Sequence, residues 1–430
     1  MEKKKFFFYS YEALHIDAAW RVLNEGHDVR YFIKDKQVND TGDGFVPKVE
    51  SAKENFEWAD VIVFDDALGQ GKMADDLRKK GKLVVGGTEY GDQLEDDRSF
   101  GQDELKKAGV ATLKYQEFTD FDAAIEFVRQ HPRRYVVKPS GEAANYKHLL
   151  FVGMEEDGSD TVRVLQAYKR VWSKVIKVFQ LQNHVSGVEV GVGAFFNGKK
   201  FIEPININFE HKRMFPGEHG PPTGEMGTSM FWSKPNRLFN ATLKKMESRL
   251  IECGYVGYID INCIVNGQGI YPLEFTSRFG YPIFLIQCDS LNMPLGEFLH
   301  NLASGSDFDL KVRKGFDVGV RLLVPPYPYG DKKTFDTYSK NAFVVFKKPN
   351  YEGVHLHFVK RVDDTWVVAG NVGSVMTMVG HGTTMKEAQK QVYHRIHNVL
   401  IPNLFYRTDI GDRWYEDSDR LHTWGYLREN

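Results

Sequence analysis

Two short segments of alternating polar and apolar residues, joined by a glycine-rich turn, constrain the fold of this chain more than any other feature. Residues 258–262 read YIDIN, residues 273–278 read LEFTSR, and the turn NGQG occupies residues 266–269. Successive side chains of a strand point to opposite faces, so each segment is predicted to be a strand with one polar and one apolar face. The turn makes the two strands neighbours in an antiparallel hairpin.

The polar face of this predicted hairpin carries two carboxylates, Asp260 and Glu274, together with Asn262, Thr276 and Arg278. The opposite face is apolar and consists of Ile259, Ile261, Leu273 and Phe275. Two carboxylates that stand close together repel each other unless a cation lies between them. Hard oxygen ligands of this kind suit Mg²⁺ that carries the phosphates of a nucleotide. The alternative interpretation is an ordinary hairpin whose polar face contacts water.

Composition excludes several classes of protein. The chain has 430 residues, 42% of them apolar, which predicts roughly two to four folded domains. Its 56 Lys and Arg balance 58 Asp and Glu, and no block of like charge predicts a nucleic-acid-binding tail. Cys253, Cys263 and Cys288 are too few and too badly spaced for a disulfide framework or a zinc site. No apolar run approaches the ~18 residues of a membrane helix, so we expect a cytoplasmic protein.

The N-terminal region alternates short apolar runs with amphipathic stretches, which predicts a small parallel sheet with helices on both faces. Its first strand-to-helix turn reads YSYE at residues 9–12, without the glycines of a dinucleotide-binding turn, so nicotinamide binding is disfavoured. A β-rich region follows at about residues 175–285. Beyond residue 315 the pattern indicates strands with many turns and one helix from Met385 to Leu400.

Two further segments carry groups that could bind an anion. Lys138 follows an apolar strand and precedes a tight turn, a position from which a lysine reaches phosphate oxygens. The basic stretch EHKR at residues 210–213 is followed by the glycine-rich loop GPPTGEMG at 220–227. The alternative interpretations are a solvated lysine, and a solvated basic turn beside a flexible loop.

Taken together, these segments resemble a known family, the ATP-grasp ligases, and within it phosphoribosylamine-glycine ligase. The resemblance rests on eight collinear motifs: LEDDRSF, VVKPSG, GVEV, EHKR, GPPTGEMG, LEFTSRFGYP, GTTMKEAQKQVY and YRTDIGDR. It implies an α/β and α+β chain with the ATP-grasp fold. The implied divisions are a Rossmann-like pre-ATP-grasp domain at 1–98, an ATP-grasp domain at 99–312 with a lid at about 108–178, and a β-rich C-terminal domain at 313–430.

The activity that the resemblance implies is ligation of a carboxylate to an amine. ATP would phosphorylate the carboxylate to an acyl phosphate, which the amine displaces, with Mg²⁺ or Mn²⁺ as the metal. The implied partners are a small-molecule carboxylate, such as glycine or another amino acid, and a small-molecule amine. No nucleic acid or membrane partner is expected, and the chain is expected to be a monomer or a homodimer.

The resemblance also assigns roles to individual residues. For the nucleotide they are Lys138 at a phosphate, Glu189 at the ribose, Gln182 and Asn183 at the adenine hinge, and Gln102 beside them. For the metal they are Asp260, Glu274 and Thr276. For catalysis they are Arg278, Lys212 and Arg213, and for the substrate Thr223, Gly224, Glu225 and Met226.

Several of these positions depart from the family pattern. Thr276 replaces a metal-binding asparagine, Gln102 replaces a lysine, and Gln182 and Asn183 replace acidic residues. The lid loop reads AANYK at residues 143–147, with fewer glycines than the family has. Further departures, at the substrate side, are Pro222, Glu225, the first turn at 9–14 and residues 371–374. We therefore expect a ligase with a changed amine substrate, and the unchanged purine enzyme of the resembling family stays open beside it. The alternatives are a nucleotide-binding or sensing module without turnover and a small-molecule kinase of the same fold.

Overall fold

The structure is a computed structural model that describes residues 2–65, 69–141, 143 and 146–429. Of the predicted lid loop, Ala144 and Asn145 lie outside the described residues. Within the described ranges, no helix combines the length and the apolar character needed to cross a membrane.

The N-terminal region forms a four-stranded parallel sheet in the order β2-β1-β3-β4. Its strands are β1 Lys5–Ser10, β2 Asp28–Ile33, β3 Val61–Phe64 and β4 Leu83–Val85. The helices of this region are α1 Ile16–Asn24, α2 Lys53–Trp58, α3 Gly71–Lys79, α4 Glu89–Asp96 and α5 Arg98–Lys107. Phe6, Phe7 and Phe8 of β1 are all fully buried, because a parallel sheet is covered on both faces.

A second four-stranded sheet has the order β5-β8-β6-β7 and is antiparallel. It consists of β5 Tyr115–Phe118, β6 Tyr135–Pro139, β7 Phe151–Val152 and β8 Phe179–Asn183, with α6 Phe121–Gln130 and α7 Ser159–Val171. This unit has an apolar core of its own, which includes Phe121, Phe179 and Leu165. We call it the lid sheet.

The central sheet has eight strands in the order β13-β12-β9-β10-β11-β14-β19-β16 and is antiparallel. Its strands are β9 Val188–Asn197, β10 Phe201–Phe215, β11 His219–Ser233, β12 Val256–Asn266, β13 Gly269–Thr276, β14 Phe316–Leu323, β16 Val354–Leu356 and β19 Ser374–Gly382. The helices α8 Arg237–Ala241, α9 Glu247–Glu252, α10 Ile283–Ser290 and α11 Leu295–Ala303 connect them. Ile259, Ile261 and Phe275 lie in one apolar core, as the hairpin pattern predicts.

The C-terminal region adds a third four-stranded sheet in the order β17-β18-β15-β20. Its elements are β15 Phe343–Phe346, β17 Val359–Val362, β18 Thr365–Val368 and β20 Val399–Leu400, with α12 Lys332–Tyr338, α13 Met385–Ile396 and α14 Trp414–Thr423. The helix predicted from Met385 to Leu400 therefore ends earlier, at Ile396, and its last residues form an edge strand. β14, β16 and β19 extend the central sheet, so strands from both sides of residue 312 belong to one sheet. The domain boundaries at 98/99 and 312/313 stay predictions.

Candidate active site

Polar residues of the central sheet collect on one face. Residues directly opposite each other in an antiparallel pair point to the same face. The register places Asn262 opposite both Glu274 and Gly191, and Gly191 opposite Asn208. The side chains two residues away on β9 and β10, those of Glu189 and Glu210, share that face. We call the set Glu189, Glu210, Lys212, Asn262 and Glu274 the carboxylate cleft.

The ammonium group of Lys212 lies among the carboxylates of this cleft. Its Nζ is 3.2 Å from Oε1 of Glu189, 3.1 Å from Oε2 of Glu210 and 3.4 Å from Oε1 of Glu274. Burial by itself lowers the pKa of Lys212, but the three carboxylates outweigh it and raise the pKa well above its usual value. Lys212 therefore stays protonated at neutral pH and offsets part of the negative charge.

Glu189, the predicted ribose ligand, is held in place from two sides. Asn262 donates from Nδ2 to Oε1 of Glu189 at 2.8 Å. Arg413 donates to the backbone carbonyls of Glu189 at 3.2 Å and Glu210 at 3.1 Å, which joins the two strands. Burial raises the pKa of Glu189, yet Lys212 and Arg413 together hold it below its usual range. The carboxylate is therefore ionised at neutral pH and oriented before any ligand binds.

Asp260 and Glu274, the predicted metal pair, share the polar face but have different partners. Oδ2 of Asp260 accepts from the Tyr258 hydroxyl at 3.0 Å and from Nδ2 of Asn208 at 2.8 Å. Burial raises the pKa of Asp260 to about 7. Glu274 is instead near Lys212 and lies 3.8 Å from the guanidinium of Arg98. Thr276 lies directly opposite Asp260, as the hairpin register requires.

The hydrogen bonds of Asp260 cross β9 where that strand has no side chain. A Cβ added at Gly193 would stand 2.0 Å from the Tyr258 hydroxyl and 2.7 Å from Oδ2 of Asp260. We therefore expect Gly193→Ala to lower the free energy of unfolding by about 1–3 kcal/mol, the usual cost of overpacking. Urea unfolding measures this change. Gly330→Ala is the control, since no atom lies within 4 Å of its added Cβ, and an equal loss in both variants would contradict the packing argument.

Lys138 reaches the same cleft from the lid sheet. Its side chain is 8% exposed at the end of β6. Burial and, to a smaller extent, the charge of Arg98 lower the pKa of Lys138 to about 8, against the opposing charges of Glu274 and Glu189. The charges of Lys138, Arg98 and Glu274 therefore interact, although the three residues lie on different elements.

Arg278 lies just beyond β13, where the central sheet meets the N-terminal region. Its NH2 is 3.0 Å from Oε1 of Glu95 on α4, and its NH1 donates to the carbonyl of Phe279 at 3.1 Å. Burial lowers the pKa of His15 to about 4, and the Arg278 charge contributes to that shift. The predicted catalytic arginine thus lies at the junction of two regions, held by a carboxylate.

The predicted substrate residues separate into cleft and core positions. Thr223 donates to the carbonyl of Lys212 at 2.8 Å, and Gly224 is exposed. Glu225 is 5% exposed, whereas Met226 is fully buried in the C-terminal apolar core. Arg213 points away from the carboxylates, since its NH1 donates to the carbonyl of Gly220 at 2.9 Å.

Of the other predicted nucleotide residues, Gln102 contacts backbone carbonyls, and Gln182 and Asn183 lie in the lid sheet. The amide of Gln102 on α5 donates to the carbonyls of Pro272 at 3.3 Å and Leu273 at 3.2 Å. It therefore joins α5 to β13. Gln182 is buried in the middle of the lid sheet between β5 and β6, and Asn183 is the partly exposed last residue of β8.

Residues 96–283 match the family described as "Phosphoribosylglycinamide synthetase, ATP-grasp (A) domain". That segment contains every residue of the carboxylate cleft as well as Lys138 and Arg278. The predicted resemblance to the ATP-grasp ligases and the predicted fold class are therefore confirmed.

Curated relatives agree with this assignment. The phosphoribosylamine–glycine ligase of Streptococcus pneumoniae strain R6 is 28% identical over 357 residues, which cover 81% of this chain and 82% of the relative. That of Clostridium acetobutylicum is 25% identical and covers 79% of this chain and 81% of the relative.

Solved structures share the fold. The phosphoribosylamine–glycine ligase of Thermotoga maritima superposes with a TM-score of 0.70 at 20% identity, covering 94% of this chain and all of that one (100%). The biotin carboxylase of Campylobacter jejuni gives a TM-score of 0.64 at 13% identity, covering 99% of this chain and 98% of that one.

The oxygen donors on the polar face of the central sheet fit a metal that arrives with a nucleotide. In the described part of the chain, no three His, Cys, Asp or Glu side chains are grouped so that they could hold a metal ion. Mg²⁺ in nucleotide enzymes is usually held by one or two carboxylates together with phosphate oxygens. Glu274, Asp260 and the Thr276 hydroxyl are donors of that kind, and they would hold it here.

This donor set predicts that the affinity for metal depends on the nucleotide. We expect Mn²⁺ alone to bind the ligase weakly and Mn²⁺ with ADP to bind at least about tenfold more tightly, because phosphate oxygens complete the coordination shell. Electron paramagnetic resonance of free Mn²⁺ measures both affinities. Equal affinities with and without ADP would show a metal site made by protein side chains alone.

The sequence analysis did not select Glu210 of the carboxylate cleft as a site residue, nor Asn208, Tyr258 and Arg98, which contact Asp260 or Glu274. A signal for two of them was present in the stretch NINFEHK at 206–212, where every second residue is polar. On one strand, that period places Asn206, Asn208, Glu210 and Lys212 on one face. Tyr258 carried the same signal, since it lies two residues before Asp260 in the segment YIDIN, whereas Arg98 joins the cleft from α5, which is distant in sequence.

Glu225 is a carboxyl group whose burial the nearby cations do not offset. Burial and the nearby charge of Glu210 raise the pKa of Glu225 well above its usual value, against the opposing charges of Arg321 and Lys212. The folded state therefore holds a proton that the unfolded chain releases above about pH 4.5. The stability contributed by the protonated group declines as the pH rises toward the folded-state pKa.

This shift predicts that Glu225→Gln stabilises the fold in a pH-dependent way. We expect the melting temperature of the variant to exceed that of the wild type by an amount that grows as the pH rises above about 4.5. Calorimetric melting across a pH series measures the difference. A difference that is constant with pH would show that Glu225 is ionised in the folded state.

A cavity of about 460 Å³ lies away from the cleft, where α1 and β16 approach each other. Its charged residues already have protein partners. Arg21 lies 2.6 Å from Asp17 and donates to the carbonyl of Val354 at 2.9 Å. Glu25 accepts from the backbone N–H groups of Leu295 and Gly296. We therefore place the chemistry in the carboxylate cleft.

Proposed function

We propose that this ATP-grasp ligase couples a small-molecule carboxylate to a small-molecule amine through an acyl phosphate, at the cost of ATP. The observation that carries the proposal is the meeting of Lys138 of the lid sheet with Glu189, Lys212 and Glu274 of the central sheet in one cleft. Cations are needed there to neutralise the negative charge of a triphosphate, and carboxylates are needed to bind the divalent metal that comes with it.

The proposed reaction has two steps. A carboxylate oxygen of the acid attacks the γ-phosphorus of ATP, the bond to the β-phosphate oxygen breaks, and ADP leaves. The amine nitrogen then attacks the acyl carbon, inorganic phosphate leaves with the bonding electron pair, and the nitrogen loses a proton to give the amide. The protein supplies positioning and charge neutralisation rather than a nucleophile.

The residues of the cleft have separate tasks in this scheme. Lys138 binds a phosphate of ATP, and Glu189 accepts hydrogen bonds from the ribose hydroxyls. Arg278, with Lys212 beside it, offsets the charge that develops on the transferred phosphoryl group. Glu274, Asp260 and Thr276 provide oxygen ligands for Mg²⁺ or Mn²⁺, which screens the phosphate charges when it is bound. Glycine or another amino acid is the proposed acid, by likeness to the relatives named phosphoribosylamine–glycine ligase.

Hydroxylamine trapping tests the proposed function without knowledge of the natural amine. The full chain is incubated with ATP, Mg²⁺, hydroxylamine and each amino acid in turn, and hydroxamate, ADP and phosphate are measured. We expect at least one amino acid to give hydroxamate with equal amounts of ADP and phosphate. Absence of hydroxamate with every amino acid would contradict an amino acid as the proposed acid.

A sensing module is the second candidate, and the position of Gln102 favours it. The Gln102 amide is engaged by the carbonyls of β13 and supplies no positive charge to a nucleotide. ATP binding without ADP release would support the sensor. ADP release without free phosphate would instead support a kinase that phosphorylates a small acceptor.

A further inference from the structure

The strand pairing of the central sheet is interrupted at two places beside the carboxylate cleft. The pairing between β9 and β10 ends at Gly191 and Asn208. Continued by two residues, it would place Glu189 opposite Glu210. Between β10 and β11 the register shifts on both sides of Arg213. Both interruptions therefore lie at residues that belong to the cleft or adjoin it.

The guanidinium group of Arg413 fills the first interruption. Its Nη1 donates to the backbone carbonyl of Glu210 at 3.1 Å, and its Nη2 donates to that of Glu189 at 3.2 Å. A guanidinium offers several donors in a rigid planar fork, so one side chain can bond two carbonyls at once. The separation of β9 from β10 at the cleft is therefore set by the width of this group.

The segment that carries Arg413 is fixed to the central sheet at both of its ends. We call residues 407–413 the C-terminal strap. Arg407 is fully buried and donates from Nη1 to the carbonyl of Arg213 at 2.8 Å, at the second interruption. Trp414, the residue after the strap, packs on the apolar side of β10, with its ring centroid 5.5 Å from that of Phe209. Arg413 is therefore held on a fixed base.

One further contact orients the guanidinium, and its charge acts on the cleft. Nε of Arg413 lies 3.3 Å from Oδ2 of Asp417, one turn along α14, which leaves the other two nitrogens for the strands. Burial raises the pKa of Glu189, whereas the charges of Lys212 and Arg413 hold it below its usual range. Arg413 therefore fixes the main chain of Glu189 and also favours the ionised form of its carboxyl group.

We propose that Arg413 is a positioning residue that sets Glu189 in the place needed to bind the hydroxyls of a ribose. The inference rests on the proposed function, in which Glu189 accepts hydrogen bonds from those hydroxyls. It deepens that function by assigning sugar selectivity to a residue outside the family-matched segment 96–283. Arg413 acts through the main chain of Glu189, while Asn262 holds the side chain by donating to Oε1 at 2.8 Å.

Discrimination between ATP and 2′,3′-dideoxy-ATP tests this proposal, because the two nucleotides differ only in the ribose hydroxyls. Calorimetric titration of the full chain with each nucleotide and Mg²⁺, without acid or amine, measures both affinities. We expect the wild type to bind ATP at least about tenfold more tightly, since hydrogen bonds to a carboxylate are strong. A purely structural defect would weaken binding of both nucleotides equally and leave the ratio of their affinities unchanged.

The variant Arg413→Lys separates the fork from the charge. Lysine keeps a positive charge near Glu189, but its compact ammonium group does not reproduce the planar fork. We expect the preference for ATP to fall to about threefold or less, with the affinity for dideoxy-ATP within about twofold of the wild type. Arg413→Met should lose the preference at least as fully, and Arg413→Lys alone decides the outcome if the methionine variant does not fold. Arg420→Met, exposed on the same helix and paired with Glu416, is the control and should keep the wild-type preference.

The outcomes separate failure of this inference from failure of the proposed function. An unchanged affinity ratio in Arg413→Lys, whether or not both affinities fall, would overturn the positioning role and leave the ligase function intact. Absence of any preference in the wild type would overturn both the ribose role of Glu189 and this inference, while hydroxamate formation would still identify the ligase. Loss of the preference in Arg413→Lys without hydroxamate in the wild type would refute an amino acid as the acid and retain the positioning role.

Discussion

Glu274→Gln is expected to reduce ATP turnover by about 100- to 1000-fold while the protein stays folded, because a carboxylate that helps neutralise the transferred phosphates is lost. The side chain is 45% exposed in the cleft, so its removal leaves no cavity and little change in stability. Lys212 keeps Glu189 and Glu210 as partners in the variant. Amino-acid-dependent release of ADP measures the loss, and calorimetric melting confirms the fold.

The matched control for Glu274→Gln is Glu126→Gln on α6, which also removes one negative charge from an exposed side chain. We expect the control to keep wild-type turnover. A second check uses the metal, since loss of a ligand should raise the Mg²⁺ concentration needed for half-maximal rate. Full activity in Glu274→Gln at low Mg²⁺ would refute the assignment of this residue to the metal.

Lys138→Met is expected to weaken ATP binding by about 10- to 100-fold, since a charge-assisted hydrogen bond to phosphate is worth about 1.5–3 kcal/mol. Methionine fills the volume of the aliphatic stem, and Lys138 is buried, so the variant should fold as well as the wild type. Calorimetric titration with ATP and Mg²⁺ measures the affinity. Lys174→Met on the exposed surface of the lid is the control.

The pH dependence of ATP binding provides an independent test of Lys138. Burial lowers the pKa of Lys138 to about 8 in the free protein, so its positive charge is nearly complete well below that pH and is lost as the pH rises through it. Wild-type affinity for ATP should therefore fall above about pH 8. Lys138→Arg should keep its affinity to higher pH, because a guanidinium stays charged. Identical pH profiles in the two proteins would exclude a phosphate role for Lys138.

Period-two patterning was sufficient to predict the hairpin and its faces. The predicted strands became β12 and β13, with Asn262 opposite Glu274 and the apolar residues Ile259 and Ile261 in a core. Local pattern decides such a pair because the partner strand lies next in sequence and the turn sets the register. The collinear motifs likewise predicted the family, which the match over residues 96–283 confirms.

The partners of the cleft residues could not be predicted in this way. Lys212 was predicted to bind an anion as part of the basic stretch at residues 210–213, yet it lies among three carboxylates from β9, β10 and β13. In the strand order, β9 lies between β10, which follows it directly in the chain, and β12, which lies far beyond it in the sequence. Contacts across such an order depend on how the sheet assembles, which local periodicity does not encode.

The loop at residues 223–226 shows the same limit at a smaller scale. Four consecutive residues were predicted to bind substrate, but Met226 packs into the C-terminal core and Glu225 is held by Arg321 of β14. Irregular register between β10 and β11 near His211 and Arg213 shifts which side chains face the cleft. A bulge changes the face of every residue beyond it, and no pattern in the sequence announced this one.

The amino-acid sequence alone therefore determined the fold class, the family, the hairpin and the types of residue available for nucleotide chemistry, because each depends on local periodicity or on short collinear motifs. Only the tertiary structure decided which charges meet. It placed Lys138 near Glu274, separated the partners of Asp260 from those of Glu274, and left Oε1 of Glu225 without a hydrogen-bond partner. The physical reason is that electrostatic partners and desolvation depend on distance in space between elements far apart in the chain.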